Sequence, residues 1–70
     1  MVILNGVEFD YREGMSLAGL VEDYNISHRK LAFDGFVVII NDTPITSSEA
    51  QERTLDDNDQ ILIVPFLDGG

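Results

Sequence analysis

The stretch that decides the fold lies near the start of the chain and reads VILNGVEFDY over residues 2–11. Asn5-Gly6 separates two β-rich runs, and this dipeptide favours a type I′ turn because both of its residues tolerate positive φ. The second run alternates, so that Val7, Phe9 and Tyr11 share one face. The sequence therefore predicts an opening β-hairpin with one side facing a core.

One amphipathic helix is predicted after the hairpin. Ser16 is a suitable N-cap, because its hydroxyl can accept a hydrogen bond from an amide of the first turn. Apolar residues then recur at helical spacing, namely Leu17, Leu20, Val21 and Tyr24. Asn25 is predicted to end this helix in the left-handed conformation.

The second half of the chain has the pattern of strands joined by tight turns. Residues 36–40 are apolar throughout, which is typical of a strand covered on both faces. A short return strand is predicted to start at Ile45, and Ser47 or Ser48 to cap a brief helical turn. Residues 61–64 are again apolar on both faces, so we expect the last strand to be central in the sheet.

Size and charge restrict the classes of function. The chain has 70 residues, of which 13 are acidic and 4 basic, for a net charge of −9. This charge disfavours nucleic acid and anionic membranes as partners; it suits partners with basic grooves, and solubility alone explains it equally well. With no cysteine and one histidine, no metal site is expected. No secretion signal or apolar run of about 20 residues occurs, so we expect a cytoplasmic protein.

The C-terminal residues are the candidate functional site. Gly69-Gly70 follows an apolar run, and two residues without side chains can thread a narrow channel and present a terminal carboxylate. Small residues are also common in termini that have no function of this kind. We expect residues 67–70 to form a flexible tail on a single domain that spans residues 1–70.

Residues just before the diglycine are candidates for binding a partner, and they are Pro65, Phe66, Leu67 and Asp68. An aromatic and apolar segment of this kind often dominates a protein contact. Phe66 is equally suited to packing in the core, and Asp68 to exposure without a partner. No side chain of the sequence is predicted to be catalytic.

The predicted order is strand, strand, helix, strand, short strand, strand, which belongs to the α+β class. It is the order of the ubiquitin-like β-grasp fold, in which one main helix packs across a mixed sheet of four to five strands. The pairing of the last strand with the first is expected by analogy with that fold.

Several motifs in this order resemble the ThiS/MoaD-like sulfur-carrier family, and ThiS most closely. The residues that carry the resemblance are Leu4-Asn5-Gly6, Ile40-Asn41-Asp42, Ser48-Glu49, Arg53-Thr54-Leu55, Asp57-Asn58-Asp59 and the final Gly69-Gly70. Asp42 and Asn58 stand where the family usually has turn glycines, and both residue types tolerate the same backbone region. Asp68 also departs from the family pattern.

The resemblance implies a protein cosubstrate and not an enzyme. A ThiF/MoeB-like adenylyltransferase of the ubiquitin-activating type would use ATP and Mg to adenylate Gly70, while Gly69 threads its active-site channel. Sulfide or a persulfide would then displace AMP and leave a thiocarboxylate. A ThiG-like thiazole synthase would take this sulfur for thiamin biosynthesis. The carrier itself is expected to bind no cofactor.

Other functions share these sequence features. A MoaD-like small subunit of molybdopterin synthase, and carriers for cysteine or homocysteine synthesis or for tRNA thiolation, would use the same tail chemistry. A ubiquitin-like modifier would instead join Gly70 to lysines of other proteins. A plain ubiquitin-like interaction domain would leave the tail inert.

Overall fold

The computed structural model describes residues 1–28 and 30–66. The elements of this part of the chain are, in order, β1 (Val2–Leu4), β2 (Val7–Phe9), α1 (Leu17–Ser27), β3 (Phe36–Ile40), β4 (Thr43–Ile45), α2 (Ser47–Glu52) and β5 (Gln60–Pro65). The tail predicted over residues 67–70 lies outside the described residues.

The predicted hairpin is confirmed. β1 and β2 pair antiparallel with Leu4 opposite Val7. The turn residues Asn5 and Gly6 have φ of 50° and 83°, as a type I′ turn requires. Val7 and Phe9 pack against the core. β2 ends at Phe9, so Tyr11 packs on the core from the loop that follows.

The strands form one mixed sheet in the order β2-β1-β5-β3-β4. β5 pairs parallel with β1 and antiparallel with β3, so the predicted central position of the last strand is confirmed. With α1 packed across one face, this sheet has the β-grasp arrangement that the order of elements predicts.

The core lies between the sheet and both helices. The Ser16 hydroxyl caps α1 by accepting a hydrogen bond from the amide of Gly19 at 3.1 Å, as predicted. The predicted stripe of α1 is buried, and Ala50 of α2 belongs to the same cluster. The strand residues that complete the cluster are Val2, Leu4, Val38, Ile40, Ile61 and Ile63.

The end of α1 differs from the prediction. The helix does not stop at Asn25 but continues to Ser27, with His28 as its C-cap in extended conformation. The Asn25 side chain accepts a hydrogen bond from the amide of Leu31 at 2.7 Å and donates one to its carbonyl at 2.9 Å. Asn25 therefore fastens the following loop to the helix.

The start of α2 also differs from the prediction. Its N-cap is Thr46, and neither Ser47 nor Ser48 has that role. The Thr46 hydroxyl accepts from the amide of Glu49 at 3.1 Å, and the Glu49 carboxylate accepts from the Thr46 amide at 3.2 Å. This capping box satisfies two terminal donors together, which a single serine cap does not.

The prediction that β3 is covered on both faces is wrong, because Val37 and Ile39 are only half-buried, and the central strand β5 is open on the same side. Ile61 and Ile63 face the helices and are 3% and 1% exposed, whereas Leu62 and Val64 on the opposite face are 45% and 36% exposed. Both described helices lie on the other side of the sheet. Apolar residues on both sides of a strand therefore indicate here one core face and one open apolar face.

An ion pair links the start of the chain to the turn before β5. The N-terminal ammonium of Met1 binds the carboxylate of Asp57, and the carbonyl of Met1 accepts from the amide of Asn58 at 2.8 Å. Hydrogen bonding to the ammonium lowers the pKa of Asp57 below its ordinary value. The ion pair therefore stabilises the fold at pH values above the ordinary pKa of an aspartate. This stabilisation is lost as the pH falls through the lowered pKa of Asp57.

Matched substitutions in β5 test this assignment of faces. We expect Ile63→Val to lower the free energy of unfolding by about 1 kcal/mol, because it removes a buried methylene. Leu62→Val, on the open face, should change it by less than about 0.5 kcal/mol. Chemical denaturation of the two variants measures the difference. Equal losses would contradict the assignment of Leu62 to an uncovered face.

Candidate functional site

β5 is the element that leads to the candidate tail. Its pairing with β3 continues one residue beyond the strand, because the amide of Phe66 donates to the carbonyl of Gly35 at 2.9 Å. Gly35 has a φ of +81°, a conformation that residues with a side chain rarely adopt. The described chain is thus tied to the sheet up to Phe66, four positions before Gly70 in the sequence.

The described members of the predicted partner-binding set are accessible. Pro65 is exposed at the end of β5, and Phe66 is 64% exposed, so the alternative that Phe66 packs in the core is wrong. Their role in binding a partner stays a prediction. The other predicted site residues, Leu67, Asp68, Gly69 and Gly70, lie outside the described residues.

Phe66 continues a row of apolar side chains along β5. Leu62 and Val64 alternate with the buried Ile61 and Ile63, and the period of two places Phe66 on the same side as Leu62 and Val64. Half-buried residues of β1 and β3 extend this surface. We define the outer apolar face as Ile3, Val37, Ile39, Leu62, Val64 and Phe66.

The register of the sheet brings these side chains together. Ile39 lies opposite Leu62, and Val37 lies opposite Val64. A shallow depression of about 390 Å³ lies beside Ile39 and Leu62; Ile3 of β1 and the polar residues Asn5, Asp42 and Gln60 also line it. It has room for an apolar side chain of a partner.

Carboxylates lie at the rim of the outer apolar face. Glu8 pairs with Ile3 across the hairpin and is exposed. Asp42 follows β3, is also exposed, and borders the shallow depression. An apolar centre with an acidic rim is complementary to a partner surface that has an apolar centre and basic residues around it.

Sequence reasoning missed this face, although its signal was present. Residues 37, 39, 62 and 64 are apolar at positions where an antiparallel strand open to water on one side usually carries polar residues. A buried face and an exposed apolar face carry the same residue types in the sequence. Only the position of the helices distinguishes between them.

The described residues, 1–28 and 30–66, contain no group of three His, Cys, Asp or Glu side chains that could hold a metal ion. Among the same residues, no helix has the length and apolar character that crossing a membrane requires.

Comparison with known proteins gives a match to the model of the ThiS family over residues 2–70. The chain is also similar to the crystal structure of a thiamine biosynthesis protein (ThiS) from Geobacter metallireducens, with a TM-score of 0.68. The two are 18% identical, and the match covers 99% of this chain and 97% of that one, so the likeness is one of fold. No curated protein matches the chain.

Gly35 is expected to control how the end of β5 is held. Gly35→Ala should lower the free energy of unfolding by roughly 1–2 kcal/mol, because a residue with a side chain is strained at this positive φ. The added Cβ meets no clash, since nothing lies within 4 Å of it. It should also speed hydrogen exchange of the Phe66 amide. Gly14→Ala is the matched control, because Gly14 has a φ of +82° and the same open surroundings. Equal protection of Phe66 in the two variants would contradict the expectation.

Proposed function

The chain belongs to the ThiS family, and we propose that it carries sulfur as a thiocarboxylate on Gly70 for the thiazole ring of thiamin. The observation that carries the proposal is the family match, which runs through Gly70. It confirms the resemblance to ThiS-like sulfur carriers found in the motifs. The similar structure from Geobacter metallireducens is that of a thiamine biosynthesis protein, which supports this pathway above the other acceptors.

The proposed chemistry begins with a carboxylate that is unreactive by itself. An α-carboxyl group has a pKa of about 3.5, so at neutral pH it is ionised and resists nucleophiles. A carboxylate oxygen of Gly70 therefore attacks the α-phosphorus of ATP and releases pyrophosphate. Sulfide or an enzyme persulfide then attacks the acyl carbon and AMP leaves. With a persulfide, a second thiol must break the S–S bond before the thiocarboxylate is free.

The activating partner supplies the catalytic groups in this proposal. A ThiF/MoeB-like adenylyltransferase binds the ATP and Mg, and the carrier contributes only the acyl group and the surface by which it is recognised. A ThiG-like thiazole synthase then takes the sulfur, and the carrier's carboxylate is regenerated. The protein is thus a cosubstrate in two successive reactions and not an enzyme.

Chain length places the recognition surface close to the reacting group. Phe66 is tied to the sheet, and the four residues that follow it in the sequence can span at most about 14 Å even when fully extended. An enzyme that reaches the Gly70 carboxylate must therefore also lie near the end of β5. The outer apolar face begins there, so we assign it as the surface that the adenylyltransferase binds.

The loading reaction is tested by the intact mass of the chain. We expect incubation with an adenylyltransferase of this type, ATP, Mg and a sulfide source to raise the mass by one oxygen-to-sulfur exchange. A chain that lacks Gly70 is the control and should show no gain. Repeated absence of the gain with several such enzymes would contradict the proposal and favour an inert tail, whereas isopeptide conjugates to lysines would favour a modifier.

The docking surface is tested by one pair of substitutions. Leu62→Glu should raise the KM of the chain in the loading reaction on the order of tenfold, because it places a charge in the centre of an apolar contact. Ile26→Glu is the matched control: Ile26 is 82% exposed, but it lies on α1, across the domain. A rise in KM for both variants, or for neither, would contradict the assignment of the surface.

A further inference from the structure

We propose that Asn5 is a positioning residue of the carrier, because its side-chain amide holds the end of β5 on the edge that faces β1. The inference deepens the proposed function and rests on it in one respect: the end of β5 is taken to present the tail to partner enzymes. The hydrogen bonds themselves are independent of that function.

Asn5 takes the place of a missing strand residue. β1 ends at Leu4, where the chain turns away from β5, so no backbone of β1 lies beside Ile63. The Oδ1 of Asn5 accepts from the amide of Ile63 at 2.8 Å, and its Nδ2 donates to the carbonyl of the same residue at 2.9 Å. The backbone amide of Asn5 donates to the carbonyl of Ile61 at 2.9 Å. One residue thus extends the ladder by two positions of β5.

Asn5 matters because Pro65, the next residue of β5 on the edge that faces β1, has no amide hydrogen. Ile61 and Ile63 turn their backbone groups toward β1, and the period of two places those of Pro65 on the same edge. Proline has no amide hydrogen, so Pro65 has none to donate to a neighbour there. The opposite edge is held by the hydrogen bond from Phe66 to Gly35. The side-chain amide of Asn5 therefore holds β5 on the edge that faces β1, as the hydrogen bond from Phe66 to Gly35 holds it on the edge that faces β3.

Two requirements meet in the identity of this residue. The hairpin turn requires positive φ, which is 50° at Asn5. Glycine meets this requirement without a side chain, and aspartate tolerates it but lacks the donor that the Ile63 carbonyl uses. Asparagine provides the conformation together with both a donor and an acceptor. A substitution that tolerates positive φ but removes the side-chain amide can therefore separate the role of Asn5 in the turn from its role in holding β5.

Asn41 offers a matched control at the opposite end of the same strand. Its φ is 51°. Its Oδ1 accepts from the amide of Gln60 at 2.9 Å, and its Nδ2 donates to the buried carboxylate of Asp59 at 2.8 Å. It thus makes bonds of the same kind where β5 begins, away from the tail.

The experiment compares Asn5→Gly with Asn41→Gly in the full chain. In Asn5→Gly we expect exchange of the Ile63 amide to accelerate on the order of tenfold, as for the loss of one or two hydrogen bonds. In Asn41→Gly the acceleration should fall on Gln60 and spare Ile63. In the loading reaction, only Asn5→Gly should raise the KM of the chain, by roughly threefold or more, with kcat nearly unchanged. Asn5→Asp keeps a side chain of the same size in the depression that Asn5 lines but removes the Nδ2 donor, so it should also raise KM if positioning, and not lost contact area, is the cause.

Each outcome decides the inference. An unchanged KM in Asn5→Gly, or the same rise in Asn41→Gly, would reduce Asn5 to a structural residue and overturn the positioning role. An unaltered exchange rate at Ile63 would show that the amide does not hold the strand, which also overturns it. If the wild-type chain is never loaded with sulfur, the proposed function fails, and the exchange rates still decide whether Asn5 holds β5.

Discussion

The structure depends on a central strand that is paired along both edges but covered on only one face. β5 lies between β1 and β3; β3 pairs with it from Ile61 to Pro65, whereas β1 pairs only with Gln60 and Ile61. Its inward residues complete the core beneath the helices, whereas Leu62 and Val64 remain open to solvent. The same strand therefore supports the fold and exposes the apolar side chains of the proposed docking surface. It also leads directly to the C-terminal residues.

This arrangement suits a protein whose proposed reactive group is its own terminal carboxylate. Such a carrier needs no side chain for acid or base catalysis, because the activating enzyme supplies those groups. What it must provide is a fixed start for the last residues and a surface by which partners recognise it. The hydrogen bond from Phe66 to Gly35 and the contacts of Asn5 with Ile63 meet the first requirement. The outer apolar face with its acidic rim is the surface that we propose for the second.

Local patterns in the sequence predicted most of the fold because local interactions determine those parts. The Asn5-Gly6 turn and the Ser16 cap depend on neighbouring residues, and both are as predicted. Asn25 was wrongly predicted to end α1, because its side chain binds Leu31 of the next loop, a contact that helix propensity does not include. The sequence favours Ser47 or Ser48 over Thr46 as the cap because serine, considered alone, is a better N-cap residue than threonine.

The outer apolar face is harder to predict from the sequence than the fold, for a physical reason. An apolar residue has the same identity whether it faces a core or a partner, so the apolar residues of β3 predict a covered strand, and those of β5 predict a central strand without showing that one of its faces is open. The role of Asn5 was also hidden, since its turn conformation already explained its presence. Its contact with Ile63 joins residues 58 positions apart in the sequence, and only the fold brings them together.

The most direct test of the account is transfer of labelled sulfur in a single turnover. The chain would be loaded with a heavy sulfur isotope, separated from the activating enzyme, and mixed with a thiazole synthase and its substrates. The account predicts that the label appears in the thiazole product, while the mass of the chain returns to that of the free carboxylate. Label that stays on the chain, or a chain found attached to lysines of other proteins, would contradict it.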